Sequence, residues 1–253
     1  MADTNQLKYI YSLRLADNAW ILSHRLSEWC SNGPFLEEDL ALTNIALDLI
    51  GRAQAFYNYA AELESKGRTA DDLAYRRNER QYYNNLLVEM PNGNFADTIA
   101  RQLYTSVYEY YFFMSLQNSK DETFAALAAK TLKEVKYHMV HAADWVVRLG
   151  DGTKESHEKM QQAIDNLWMY TGELFEADKT DTALAEQGLG VDNPSLHSLW
   201  EAHIHNVLEE AKLNTPSAEY MQTGGRQGIH TEHLGHMLGE MQYLQRAYPD
   251  AKW

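Results

Sequence analysis

Long amphipathic stretches with few interruptions are the feature that most constrains the fold of this chain. Between Asn5 and Ser31 apolar residues recur every three or four positions, which is typical of a helix with one buried face. Five prolines and fourteen glycines are spread over 253 residues, so long helices are seldom interrupted. Only eight valines and eight isoleucines are available for strands. The sequence therefore predicts an all-α protein.

Residues that begin and end helices divide the sequence further. Pro34 and the acidic residues at 37–39 suit a helix N-terminus. Thr69 with Asp72 resembles a capping pair, and Asn94 would cap another helix. In chain order the predicted helices cover about residues 5–31, 34–66, 69–89, 94–116, 121–149, 153–175, 194–214 and 231–247.

No repeat, low-complexity tract or polar linker separates one part of the chain from another. Helices of 25 to 30 residues would be about 40 Å long, which is the proportion of a bundle. We therefore expect one domain, residues 1–253, built on a long four-helix bundle with additional helices.

Charge and hydropathy exclude several classes of partner. The net charge of −14 would repel a nucleic acid, and no apolar run approaches the roughly 18 residues that span a bilayer. The single cysteine, Cys30, cannot form an internal disulfide, and the residues after Met1 do not resemble a secretion signal. We expect a cytoplasmic protein that binds neither nucleic acid nor membrane.

A bundle of long helices suggests a di-iron carboxylate site, which needs Glu-x-x-His on two of the helices. The best carboxylate of the second helix is Asp48, but Gly51 lies three residues further on. In the fifth helix Glu134 is followed at that spacing by Tyr137. Neither Gly51 nor Tyr137 supplies the required histidine. The four residues therefore resemble a degenerate site, and we expect no di-iron centre at these positions.

A mononuclear metal site remains open as an alternative. Glu134, His138 and His141 share one helix face, but residues seven apart lie about 10.5 Å apart along the axis, too far for one metal. A pair of these with a distant ligand stays possible. The last helix offers three more histidines, for which helix-start and interface roles are favoured: His230, His233 and His236.

One basic cluster contrasts with the acidic background. On a continuous third helix, four residues would share a face at positions i, i+3, i+4 and i+7. Such a face could contact phosphates or an acidic partner. The alternative is a set of ion pairs with Asp72 and Glu79. The four residues are Arg77, Arg80, Gln81 and Asn84.

Several longer stretches are similar to a known family. They are DLAL at 39–42, NIALDL at 44–49, MPNGNFADTIARQ at 90–102, TGG at 223–225 leading to GIHTEHLG at 228–235, and EMQYLQR at 240–246. These stretches resemble the C subunits of ring-1,2-phenylacetyl-CoA epoxidases, bacterial multicomponent monooxygenases. The resemblance extends from about Leu7 to the C-terminus.

The resemblance implies a ferritin-like fold and a structural, non-catalytic subunit. In that family the di-iron centre lies in the A subunit, and the complex epoxidises phenylacetyl-CoA with O2, using electrons from NADPH through a separate reductase. This chain would then hold no cofactor of its own and would pair with the A subunit and other subunits. We expect Arg77, Arg80, Gln81 and Asn84 to help hold the CoA end of the substrate, and we expect possible homodimers when the partner is absent. The alternative is a metal-binding oxygenase or ferritin-like protein that is active alone.

Overall fold

The computed structural model describes residues 3–218, 220–249 and 251, and these residues contain helices and no strand. The predicted all-α class is confirmed. The α-helices are α1 (Thr4–Ser27), α2 (Leu36–Glu64), α3 (Ala70–Tyr75), α4 (Leu86–Glu89), α5 (Phe95–Leu116), α6 (Glu122–Gly150), α7 (Lys154–Trp168), α8 (Lys179–Gln187), α9 (His197–Glu210), α10 (Glu232–Met241) and α11 (Tyr243–Ala247).

The chain forms two compact units. The first unit combines Met1–Met90 with Gly224–Trp253, and the second unit is Pro91–Thr223. The four long helices required by the bundle prediction are present as α1 and α2 in the first unit and α5 and α6 in the second. The prediction of a single domain over residues 1–253 stays a prediction.

The first unit is built on the packing of α1 against α2. Lys8, near the start of α1, donates to the hydroxyl of Tyr59 near the end of α2 at 3.2 Å, as expected for an antiparallel pair. α1 is buried on nearly all sides, whereas α2 buries one side, and burial of their apolar side chains is the main source of stability. The buried residues of this contact include Ile21, Leu22, Leu26, Leu42, Ile45, Leu49 and Phe56.

The second unit has an aromatic core between α5, α7 and α9. Tyr104 packs against Trp168 and Trp200, with each pair of ring centroids 5.7 Å apart. The Trp200 Nε1 donates to the Tyr104 carbonyl at 3.0 Å, and the Tyr104 hydroxyl donates to the Ile164 carbonyl at 3.0 Å. The polar ring atoms of Tyr104 and Trp200 therefore have hydrogen-bond partners.

The capping residues predicted for two helices are confirmed. Thr69 and Asp72 form a reciprocal capping box at the start of α3, and Asn94 and Asp97 form one at the start of α5. The Thr153 hydroxyl accepts from the backbone N–H of Ser156 at the start of α7.

Several predicted boundaries are wrong. The third helix ends at Tyr75 instead of Glu89, and a 3-10 turn at Glu79–Gln81 and the short α4 follow it. The sixth predicted helix ends at Trp168, and α8 was not predicted. The last predicted helix is interrupted at Gln242. Within the residues that the structure describes, no helix is both long and apolar enough to cross a membrane.

Candidate functional site

The first unit contains a buried ion pair between α1 and the segment that follows α3. The Arg77 guanidinium contacts both carboxylate oxygens of Asp17, with Nη1 3.0 Å from Oδ2 and Nη2 bonded to Oδ1. The side chains are 3% and 0% exposed. The Tyr57 hydroxyl donates to Asp17 Oδ1 at 2.6 Å, and the Tyr83 backbone N–H donates to Oδ2 at 2.8 Å. Arg77 therefore neutralises a buried carboxylate.

The electrostatics of this pair follow from its burial. Burial works against the charged guanidinium, but the adjacent Asp17 carboxylate holds the pKa of Arg77 above its ordinary value. Burial also raises the pKa of Tyr57 well above its ordinary value, and that of Tyr82 to about 12. Arg77 thus stays charged and both phenols stay neutral at physiological pH.

A second buried group is centred on Glu89, whose side chain is fully buried. Its Oε2 accepts from Asn84 Nδ2 at 2.9 Å and from His230 Nδ1 at 2.8 Å. Its Oε1 accepts from the backbone N–H and hydroxyl of Thr231 at 2.7 and 2.8 Å. Its backbone carbonyl accepts two bonds from Arg25. We call these five residues the Glu89 cluster.

The groups around His230 favour its doubly protonated form. Its Nδ1 faces the Glu89 carboxylate and its Nε2 faces the Tyr82 carbonyl at 2.9 Å, and both of these groups can only accept. Burial alone would lower the pKa of His230, but the bond to Glu89 and its negative charge outweigh burial and raise the pKa. Through these two bonds His230 joins the two chain segments of the first unit.

These contacts correct the predicted basic face. Because α3 ends at Tyr75, Arg77, Arg80, Gln81 and Asn84 do not share one helix face. Arg77 and Asn84 are buried, the first bound to Asp17 and the second to Glu89. The premise of a four-residue surface is therefore wrong. Only Arg80 and Gln81 of this set are exposed.

The four residues of the predicted degenerate metal site lie on α2 and α6. Asp48 and Glu134 are half-buried. Gly51 is exposed, with no atom within 4 Å of the place that a Cβ would take, and Tyr137 is 52% exposed. The assignment of these positions as a former metal site stays a prediction.

The histidines considered for a mononuclear site do not converge within the described residues. No group of three or more His, Cys, Asp or Glu side chains in the described part of the chain is placed to hold a metal ion. His138 is buried on α6. In the C-terminal residues His230 belongs to the Glu89 cluster, His233 is half-buried and His236 is exposed.

An exposed apolar face runs along α2. Leu36, Leu40 and Leu47 are 70%, 54% and 60% exposed, and at about 100° per residue they lie within about 40° of one another around the helix. Gly51 continues this side by one further turn. We call these four residues the α2 face. The buried residues of α2 lie on the opposite side of the helix.

Sequence analysis missed the Glu89 cluster. Glu89 and His230 are 141 residues apart in the chain, and no local spacing connects them. The GIHTEHLG stretch includes His230 but does not indicate its partner. The Asp17–Arg77 pair, 60 residues apart, was missed for the same reason.

Comparisons with known proteins identify the family of this chain. The chain belongs to the family described as phenylacetic acid catabolic protein, whose model matches residues 1–253. It is 53% identical over 249 residues to the C subunit of the 1,2-phenylacetyl-CoA epoxidase of Escherichia coli (strain K12). That match covers 98% of this chain and 100% of the relative. The resemblance found in the sequence is therefore confirmed.

Proposed function

We propose that this chain is the structural, non-catalytic subunit of a phenylacetyl-CoA epoxidase complex and pairs with the catalytic, di-iron A subunit. The relative is named as one subunit of that enzyme and matches almost the whole chain. Such a role places the chain in phenylacetate catabolism. The oxygen chemistry, the di-iron centre and the electrons from NADPH and a reductase then belong to other subunits.

The observation that carries the pairing is the α2 face. Three leucines that are more than half exposed on one side of a long helix form an apolar surface of the kind that marks protein contacts. Burying the exposed part of each leucine would contribute about 1 kcal/mol, or about 3 kcal/mol together, which is more than a hundredfold in affinity. Gly51 lets a partner helix approach this side closely.

The residues at the predicted di-iron positions support the division of labour. Gly51, three residues after Asp48, has no side-chain ligand atom, and Tyr137, three residues after Glu134, is not the histidine that the di-iron pattern requires. In the alternative, a metal-binding oxygenase or ferritin-like protein active alone, the isolated chain would have to bind iron stoichiometrically.

Metal content separates these functions. The chain is purified alone and with the co-expressed catalytic A subunit from iron-supplemented cells, and iron is measured by plasma mass spectrometry together with epoxidation of phenylacetyl-CoA. We expect iron and activity in the pair and neither in the chain alone. Iron near two atoms per isolated chain, with turnover, would establish the alternative.

The role of the α2 face is tested by Leu40→Glu and Leu47→Glu. Each substitution would place a charge where the partner buries apolar surface, so we expect at least a tenfold loss of affinity for the catalytic subunit. Leu199→Glu is the matched control, since Leu199 is an exposed leucine of α9, 46% exposed, in the second unit. Co-purification that is equally strong for all three variants would show that the α2 face does not pair with the catalytic subunit.

The same variants test self-association. We propose that the chain without its partner forms homodimers through this apolar face. Sedimentation velocity should then show a dimer for the wild type and a monomer for Leu47→Glu. A monomeric wild type would refute self-association without affecting the pairing.

A further inference from the structure

The first unit contains an open groove of about 1040 Å³ beside the exposed Arg80. One wall is the turn at residues 78–81, and the other is a side of α10 and α11. Pockets of a few hundred to about 1,000 Å³ are typical of small-molecule and cofactor sites. Its size therefore suits a ligand as large as a nucleotide.

The groove carries positive charge in an acidic chain. The Arg80 side chain is exposed and makes no hydrogen bond or ion pair within the described residues. Arg246 uses Nη2 to donate to the Arg77 carbonyl at 2.9 Å and to Asn78 Oδ1 at 3.3 Å. Its other N–H groups make no further bond within the described part of the chain. Two guanidinium groups on facing walls suit a phosphorylated ligand, since arginine can bind phosphate through two N–H groups.

Glu79 limits the kinds of ligand that fit. Its carboxylate also lines the groove, and it lies so close to Gly235 that a Cβ there would be 2.9 Å from Oε1. An anion must therefore bind at the Arg80 and Arg246 end. The rest of the wall offers the ring of Tyr243, which is 66% exposed, and the small Gly239. A flat aromatic base can stack on such a ring.

The turn that carries Arg80 is held firmly. Gln242 Nε2 donates to the Arg77 carbonyl at 2.9 Å and to the Tyr82 hydroxyl at 2.8 Å, one residue on each side of the turn. Gly228 has φ +73°, and a Cβ there would overlap the carbonyl oxygen of Arg80. The groove is therefore formed before a ligand arrives, which reduces the entropy lost on binding.

We propose that this groove binds the phosphorylated nucleotide end of a coenzyme A thioester, with Arg80 and Arg246 on its phosphates and Tyr243 stacked on adenine. The proposal rests on the proposed function, because the named relative acts on a CoA thioester. Of the four residues that the sequence predicted to hold the CoA end of the substrate, Arg80 and Gln81 line the groove, and Arg80 would bind phosphate.

The test uses the full chain and adenosine 3′,5′-bisphosphate as the probe. Isothermal titration calorimetry should show saturable binding that weakens about tenfold in Arg80→Ala and in Tyr243→Ala, and less in Arg80→Lys, which keeps the charge. Lys130→Ala is the control, since it removes an exposed charge of the same sign from the second unit. Thermal melts check that every variant is folded.

The second measurement uses the reconstituted complex with phenylacetyl-CoA. Arg80→Ala should raise KM several-fold and leave kcat unchanged, because the contact is far from the reacting ring and equal in ground and transition states. The proposal is overturned if the probe fails to saturate at about 5 mM, or if Arg80→Ala matches Lys130→Ala in both assays. Co-purification with the catalytic subunit distinguishes failure of the groove proposal from failure of the proposed function. If the wild-type chain still pairs with the catalytic subunit, only the groove proposal is refuted.

Discussion

Replacement of His230 by alanine tests the electrostatics of the Glu89 cluster. The substitution leaves the Glu89 carboxylate without its cation and the Tyr82 carbonyl without its donor, both in the interior. Breaking a buried ion pair by removing one side costs about 3 to 5 kcal/mol, and an unmet carbonyl adds about 1 kcal/mol. Arg25 still donates to the Glu89 backbone and softens the loss. We expect the free energy of unfolding to fall by about 4 kcal/mol.

The loss should depend on pH with a definite sign. The pKa of His230 is raised in the folded chain, so its stabilisation is complete below the unfolded value of about 6.5 and disappears as pH rises through the folded value. The acidic groups that act on the ring are Glu89, which is bonded to it, and, further away, Asp17. The difference between wild type and His230→Ala should therefore shrink as pH rises above the unfolded pKa of about 6.5.

Urea denaturation followed by circular dichroism measures both effects. His236→Ala is the matched control, because His236 is exposed on α10, which begins two residues after His230, and its side chain has no described hydrogen bond. Its free energy of unfolding should stay within about 0.5 kcal/mol of the wild type. The reasoning is refuted if His230→Ala is no less stable than His236→Ala at about pH 6, or if the gap widens with pH.

Two further predictions concern glycine and a buried neutral histidine. Gly228→Ala should destabilise the chain by about 2 kcal/mol, because residue 228 has φ +73° and its Cβ would overlap the Arg80 carbonyl. Gly239→Ala should stabilise the chain by about 1 kcal/mol, because the new Cβ has open space on α10. Equal urea midpoints for the two variants would contradict this. Burial lowers the pKa of His24 to about 4 beside Trp20, so the folded chain should lose stability as pH falls from about 6.5 to about 4, and His24→Leu should lessen that loss in the same assay. An unchanged acid dependence in His24→Leu would show that other groups cause it.

Local rules account for most helix starts but not for where helices stop. The reciprocal pairs Thr69–Asp72 and Asn94–Asp97 follow from three-residue spacings, and the structure forms both. A similar pair, Asp178 and Asp181, begins α8 and has the same three-residue spacing, although the sequence analysis did not predict this helix. Helix starts are readable because a cap bonds backbone groups within the same turn.

The third helix was predicted too long because contacts with distant residues decide where α3 ends. The sequence has no glycine or proline between Tyr75 and Met90, but the chain turns so that Arg77 reaches Asp17 and Asn84 reaches Glu89. Tertiary bonds between residues 60 apart outweigh a propensity worth a few tenths of a kcal/mol per residue. The candidate groove could not be predicted, since its walls come from residues 78–81 and from α10 and α11.

The discontinuity of the first unit sets an order of events during synthesis. A ribosome completes Pro91–Thr223 before it adds Gly224–Trp253, so the second unit can fold while the first still lacks its final segment. Until residue 230 emerges, Glu89 has no cation to pair with and must stay hydrated. Closing that long loop costs only slightly more entropy than closing a short one, since the cost grows with the logarithm of length. Residues translated after the second unit therefore complete the interior of the first unit, and a chain truncated before His230 would leave that interior exposed.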